Sequence, residues 1–125
     1  MRYMMLVRSD ERKNQGPPDP KLMEAVGKLT QEMNRAGIVV ATGGLLPSAA
    51  GAKVRLSRGK ITVTDGPFSE AKELIGGYAI LRADSKAGAI ELARRFMQAH
   101  ADALGTTWDG EVEVRQLADF EPERA

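Results

Sequence analysis

The residues best suited to chemistry in this chain form a short turn, Asp65-Gly66-Pro67-Phe68. Gly66 and Pro67 force a sharp change of direction, so they leave the carboxylate of Asp65 little freedom. A carboxylate held in this way can transfer protons to and from a ligand. Aspartate in a turn also commonly accepts hydrogen bonds from the backbone amides around it. The local sequence is compatible with both interpretations of Asp65, and the structural one is the more common in proteins.

A charged cluster follows this turn and leads into Gly76-Gly77. Opposite charges at short range can tune a carboxylate for acid-base work, although a solvated loop has the same composition. Because the charges, the aromatic side chains and the glycines are so close in sequence, we predict that this loop forms the wall and rim of a pocket. The predicted substrate-binding residues are Gly66, Pro67, Phe68, Glu70, Lys72, Glu73 and Tyr78.

His100 is the only histidine of the chain. Histidine is the side chain that most readily gains and loses a proton near neutral pH, so His100 is a second candidate catalytic residue beside Asp65. Two structural interpretations compete with this one. A histidine at the end of a helix is favoured by the helix dipole, and a histidine in line with Phe96 and Ala93 can be a packing residue.

Composition excludes several other kinds of site. The chain has no cysteine, and one histidine cannot build the usual zinc or non-haem iron site, so we expect neither metal nor cofactor. Gly43-Gly44 and Gly76-Gly77 lack the spacing of a nucleotide-binding loop. A net charge of +1 gives no field that would attract nucleic acid or a membrane surface. We expect a cytoplasmic chain whose 125 residues form a single domain.

The elements that must position these residues can be predicted from periodicity. Residues 2–8 alternate as a strand, with Tyr3, Met5 and Val7 on one face and Met4 and Leu6 on the other. Asp19-Pro20 caps and starts a helix that Gly37 ends. A buried strand over 38–42 then runs into Gly43-Gly44.

The second half of the chain repeats this order after a hairpin. With Arg58-Gly59 as its two-residue loop, Leu56 faces Ile61 and Val54 faces Val63. A strand over 77–81 follows, and then a helix that Asp84 or Ser85 caps and whose register continues to His100. The last strand covers 111–117.

This order predicts an α+β fold, a ferredoxin-like βαββαβ unit with an inserted β-hairpin. Both helices are expected on one face of an antiparallel sheet. The other face carries Met4 and Leu6 or their alternates in β1, and an open apolar face of this kind is usually covered by a second copy of the chain. We therefore expect a homodimer.

One stretch of the chain reads Val63-Thr64-Asp65-Gly66-Pro67-Phe68-Ser69-Glu70-Ala71-Lys72-Glu73, with Gly76-Gly77-Tyr78 after it. It closely resembles the signature of the DGPF group of YCII-related bacterial proteins. Gly43-Gly44-Leu45-Leu46-Pro47 and Glu111-Val112-Glu113-Val114-Arg115 support the resemblance, which covers nearly the whole chain. It implies a ferredoxin-like subunit that dimerises as an α+β barrel. Asp65 matches the aspartate of the signature. A histidine early in the first helix of some relatives has no counterpart here, where that helix has Leu22-Met23-Glu24.

The resemblance says less about the reaction, so two hypotheses stay open. In the first, the chain binds a small organic molecule in a cleft between sheet and helices and acts on it by cofactor-independent acid-base chemistry. Asp65 is then the proton-transfer group and His100 a second one. In the alternative, the chain is a non-catalytic partner of an extracytoplasmic-function sigma factor, beside which DGPF members often occur.

Overall fold

The computed structural model describes residues 1–11, 13, 16–68 and 74–118. Short 3-10 turns lie at Ser48–Ala50 and Gly105–Thr107. The strands and helices of the described residues are, in chain order, β1 (Arg2–Ser9), α1 (Pro20–Arg35), β2 (Val39–Gly44), β3 (Ala52–Ser57), β4 (Lys60–Asp65), β5 (Leu74–Arg82), α2 (Lys86–Leu104) and β6 (Gly110–Gln116).

Helix α1 begins and ends at the residues that its sequence predicts. The Asp19 side chain accepts a hydrogen bond of 2.8 Å from the backbone amide of Lys21, and Pro20 opens the first turn. After the helix, Gly37 has a φ of +72°, a conformation that glycine adopts without strain. The amide of Ile38 then donates to the carbonyl of Met33, which closes the helix end.

Helix α2 is longer than predicted. Of the two candidate caps it uses Ser85, whose hydroxyl accepts a hydrogen bond from the amide of Gly88. The helix continues past His100 to Leu104 and ends at Gly105, which has a φ of +65°. The prediction that His100 ends the helix was therefore wrong by one turn. The sequence Ala-Asp-Ala-Leu after it carries no helix breaker before the glycine.

The sheet has the strand order β2-β5-β1-β6, and every neighbouring pair is antiparallel. Each outer strand is reached through a helix, so the two βαβ halves interleave as in ferredoxin-like proteins. The predicted α+β fold with an inserted hairpin is confirmed. Neither helix in the described part of the chain is long and apolar enough to cross a membrane.

The core lies between this sheet and the two helices. On the sheet side Tyr3, Met5 and Leu81 are 3–5% exposed, and Tyr3 and Met5 share one face of β1 as its alternation predicts. Met33 from α1 and two alanines of α2 pack against them. In β1 the residues of the opposite parity are Met4, which pairs with Ile80, and Leu6, which pairs with Tyr78. These four side chains are only partly buried.

The inserted hairpin of β3 and β4 forms a separate two-stranded sheet. Its loop residues Arg58 and Gly59 both have positive φ, as the predicted two-residue loop requires. The predicted register is confirmed, since Val54 pairs with Val63 and Leu56 with Ile61. Every residue of the two strands is exposed.

Candidate functional site

The DGPF turn follows the last residue of the hairpin. Asp65 ends β4 opposite Ala52 and is exposed to solvent. The Gly66-Pro67 peptide bond is cis, and the amide of Gly66 donates a hydrogen bond of 2.9 Å to the carbonyl of Gly51. The turn is therefore folded back onto the segment that connects β2 to β3.

Gly66 lies against the backbone of Ser48. A Cβ atom added to Gly66 would come within 1.7 Å of the Ser48 carbonyl oxygen and 2.6 Å of its carbonyl carbon. Real Cβ atoms do not approach a backbone so closely, so only glycine fits this position without movement of the chain. This close contact explains why the turn has glycine at position 66.

Ser48 connects the turn to the end of β1. Its backbone amide donates to Oε2 of Glu11 at 2.9 Å, and its hydroxyl donates to Oε1 of the same carboxylate. The Ser48 hydroxyl oxygen in turn accepts a hydrogen bond of 3.2 Å from the amide of Phe68. The Nζ of Lys53 lies 4.3 Å from the centre of the Phe68 ring, a cation-π distance. Hydrogen bonds through Ser48 therefore connect Phe68 of the turn to Glu11, which follows β1.

The Ser48→Ala substitution tests this connection. It removes the hydroxyl that bridges the Glu11 carboxylate and the Phe68 amide, so we expect unfolding free energy to fall by about 1 to 2 kcal/mol. Urea unfolding of the purified variant measures the change. Ser57→Ala, at an exposed hairpin position, is the matched control and should be within about 0.5 kcal/mol of the wild type. Equal stability of the two variants would show that the bridge contributes nothing.

An apolar cavity of about 380 Å³ lies elsewhere, between the sheet and the helices. This volume is at the lower end of the range for small-molecule sites. No charged side chain of the described residues lines it. The lining residues are Met5, Val7, Pro18, Leu22, Met23, Val26, Leu29, Thr30, Met33, Thr42, Gly43, Gly44, Gly76, Gly77, Tyr78, Ala79, Leu81, Leu92, Ala93, Phe96, His100 and Val112.

Both glycine pairs of the sequence bound this cavity. Gly44 pairs with Gly77 across β2 and β5, and Gly43 pairs with Tyr78. The Tyr78 ring lies over Gly43, where an added Cβ would come within 2.9 Å of its Cε1 atom. Gly44 and Gly76 have no atom within 4 Å of an added Cβ, so a ligand can approach their backbone closely.

His100 is a buried polar residue in the lining of the cavity. It is 6% exposed, and its ring contacts the rings of Phe96 and Trp108, whose centres are each 4.5 Å from its own. Its Nδ1 atom is 2.9 Å from the carbonyl oxygen of Phe96. Because a carbonyl oxygen only accepts hydrogen bonds, Nδ1 must carry a proton and donate it.

A second, more open cavity of about 550 Å³ lies beside the DGPF turn. Phe68, Leu74 and Ile75 line one part of it, and Glu11 and Ser48 another. The Ser48 hydroxyl already donates a hydrogen bond to the Glu11 carboxylate. Among the residues that the structure describes, no group of three or more His, Asp or Glu side chains is arranged to hold a metal ion.

The model of the YCII-related domain family matches residues 1–121 of the chain. The chain belongs to the YCII-related family. An uncharacterized protein of Rhizobium meliloti (strain 1021) is 30% identical over 125 residues, which cover 98% of this chain and 96% of the relative. The resemblance that the DGPF signature suggested is therefore confirmed at the level of the family.

In this YCII-related chain the two predicted catalytic residues lie at different places. His100 lines the apolar cavity, whereas Asp65 is an exposed residue that lines neither of the two cavities described above. Phe68 borders the open cavity and Tyr78 the apolar one. Gly66 and Pro67 form the turn itself. Glu70, Lys72 and Glu73, the predicted rim, lie outside the described residues.

Sequence reasoning missed Ser48, Glu11 and Trp108. Glu11 and Ser48 are 37 positions apart in the YCII-related chain, and neither belongs to a periodic pattern. Trp108 follows α2 in an irregular segment, so no helix or strand periodicity relates it to His100. A signal existed for Ser48 alone, because a serine just after Pro47 suits the start of a short turn.

Proposed function

We propose that this protein binds a small, mostly apolar organic molecule in the cavity between sheet and helices. The observation that carries the proposal is the cavity itself, which has apolar walls, backbone at Gly43-Gly44 and Gly76-Gly77, and two ionisable side chains among the described residues, His100 and Tyr78. Apolar pockets with a few polar groups are the usual form of small-molecule sites.

The acid-base chemistry of this site is assigned to His100. It reaches the cavity, whereas Asp65 is an exposed residue at the end of the hairpin. The contacts around Asp65 favour the structural interpretation of the DGPF turn, in which Gly66 and Phe68 fix the chain against Ser48. The proposed chemistry is proton transfer without a cofactor.

The proposed assembly is a homodimer of single-domain chains, arranged as an α+β barrel. The family match over residues 1–121 supports one domain. The hairpin supports the dimer, because four apolar side chains on one of its faces are 66–71% exposed: Val54, Leu56, Ile61 and Val63. A two-stranded hairpin is marginally stable without packing, so this face needs a cover, and a second copy of the chain supplies it.

The binding proposal is tested by filling the cavity. Val26 of α1 lines the cavity and is partly buried, so Val26→Phe should occupy ligand space. Gln31→Phe places the same ring at an exposed position of the same helix and is the matched control. The measurement is a thermal-shift screen of neutral and charged metabolites against the wild type and both variants.

A ligand present at about a hundred times its Kd stabilises the folded state by about 2.7 kcal/mol, which raises Tm by several degrees. We expect such a shift in the wild type and in Gln31→Phe, and a much smaller one in Val26→Phe. Equal shifts in all three proteins would place the ligand outside the cavity. Asp65→Asn belongs in the same screen, since loss of the shift in that variant alone would assign ligand contact to Asp65.

A further inference from the structure

The hydrogen bond of His100 determines what its ring can offer to a ligand. Nδ1 donates to the Phe96 carbonyl at 2.9 Å, so in the neutral ring the proton is on Nδ1. Nε2 then has a lone pair and no proton. The only polar atom that neutral His100 has left for a ligand is therefore an acceptor.

The ring is also held in place, which gives this acceptor a fixed position. The rings of Phe96 and Trp108 both contact it, with ring centres 4.5 Å away and tilts of 56° and 35°. Turning the ring over would remove Nδ1 from the Phe96 carbonyl and leave that bond unmade. A fixed acceptor selects ligands by the direction in which their donor points.

The two threonines of the cavity add little to this selection, and the Tyr78 hydroxyl lies beside Gly43, 3.1 Å from the position of an added Cβ. The Thr30 hydroxyl donates to the carbonyl of Val26 at 2.8 Å, so its proton is already used. Thr42 is exposed on β2. With no lysine or arginine in the described lining, a carboxylate or phosphate would lose its hydration there without a charge partner.

We propose that the ligand is a neutral, mostly apolar alcohol or phenol whose hydroxyl donates a hydrogen bond to Nε2 of His100. This inference rests on the proposed function, because it names the class of molecule that the same cavity takes. The volume of about 380 Å³ corresponds to roughly a dozen water molecules and thus to a compact ligand.

Matched probes test the inference on the unmodified protein. Menthol has a hydroxyl donor, menthyl methyl ether keeps only an acceptor, menthane has neither, and menthane carboxylate carries a charge. Trp108 is the only tryptophan of the chain and lies against His100, so its fluorescence reports binding at this place. These probes do not absorb where tryptophan is excited.

We expect menthol to bind roughly five to ten times more tightly than the ether and menthane, the amount that one added hydrogen bond contributes. The carboxylate should bind most weakly. In His100→Phe, which keeps an aromatic ring beside Phe96 and Trp108, menthol should lose its advantage over the ether. The comparison on the wild type stands even when this variant folds poorly.

The outcomes separate the two proposals. Equal affinity of menthol and the ether for the wild type, or tightest binding of the carboxylate, overturns the hydroxyl inference and leaves the apolar site intact. Retention of the menthol preference in a folded His100→Phe protein also overturns it. Failure of all four probes to bind, together with a metabolite screen in which Val26→Phe behaves as the wild type, overturns the proposed function itself.

Discussion

The Gly66→Ala substitution is expected to lower the free energy of unfolding by about 1 to 3 kcal/mol, which lowers Tm by roughly 4 to 12 °C. The cause is the contact with Ser48, whose carbonyl oxygen lies 1.7 Å from the position of the new Cβ. The added methyl group forces the turn away from the segment that connects β2 and β3. The bonds from Phe68 to Ser48 and from Gly66 to Gly51 are then lost or lengthened.

Gly51→Ala is the matched control for this substitution. Gly51 has a φ of −113°, and an added Cβ would be 3.6 Å from the same Ser48 oxygen, an ordinary contact. Its stability should equal that of the wild type or exceed it by up to about 1 kcal/mol. Thermal and urea unfolding of both variants give the comparison. If Gly66→Ala is as stable as Gly51→Ala, the close approach does not constrain the turn.

The paired substitution Leu56→Lys and Ile61→Glu is expected to convert the proposed homodimer into monomers. These two side chains face each other across the hairpin and are 70% and 68% exposed. Opposite charges directly across a ladder keep the strands paired, so the hairpin itself should persist. In a symmetric dimer four apolar side chains are replaced, which should raise the dissociation constant at least about a thousandfold.

Sedimentation velocity over a range of concentrations measures this effect. The control is Arg55→Lys with Thr62→Glu, which puts the same charged pair at a facing position of opposite parity on the hairpin. It should leave the mass unchanged. A dimer that survives the first pair of substitutions excludes the hairpin face from the interface. A wild type that is monomeric at all concentrations contradicts the homodimer and leaves the face for a different protein.

Periodicity was sufficient to predict the elements that build the sheet and the hairpin. The two-residue alternation in β1 placed Tyr3 and Met5 on one face, because a strand turns successive side chains to opposite faces, and the structure shows that this face is the buried one. The hairpin register followed from Arg58-Gly59 in the same way, since the length of the loop determines which residues face each other.

The site could be predicted only in part, because it depends on contacts that no local pattern records. Gly76-Gly77 follows the loop that the sequence predicts as a pocket wall, and both glycine pairs of the chain bound the apolar cavity. The contacts of Ser48 could not be predicted, because they depend on where the residues after β1 lie relative to the turn. The surroundings of His100 required the longer course of α2 and the position of Trp108.

The link from Glu11 through Ser48 to Phe68 has a consequence for the order in which the chain folds. Its hydrogen bonds join residues 37 and 20 positions apart, whereas the hairpin closes between residues that are near neighbours in sequence. Closing long loops costs more chain entropy and is slower than closing short ones. The strands of the hairpin can therefore pair early, whereas the DGPF turn makes its final contacts only once Glu11 lies beside Ser48.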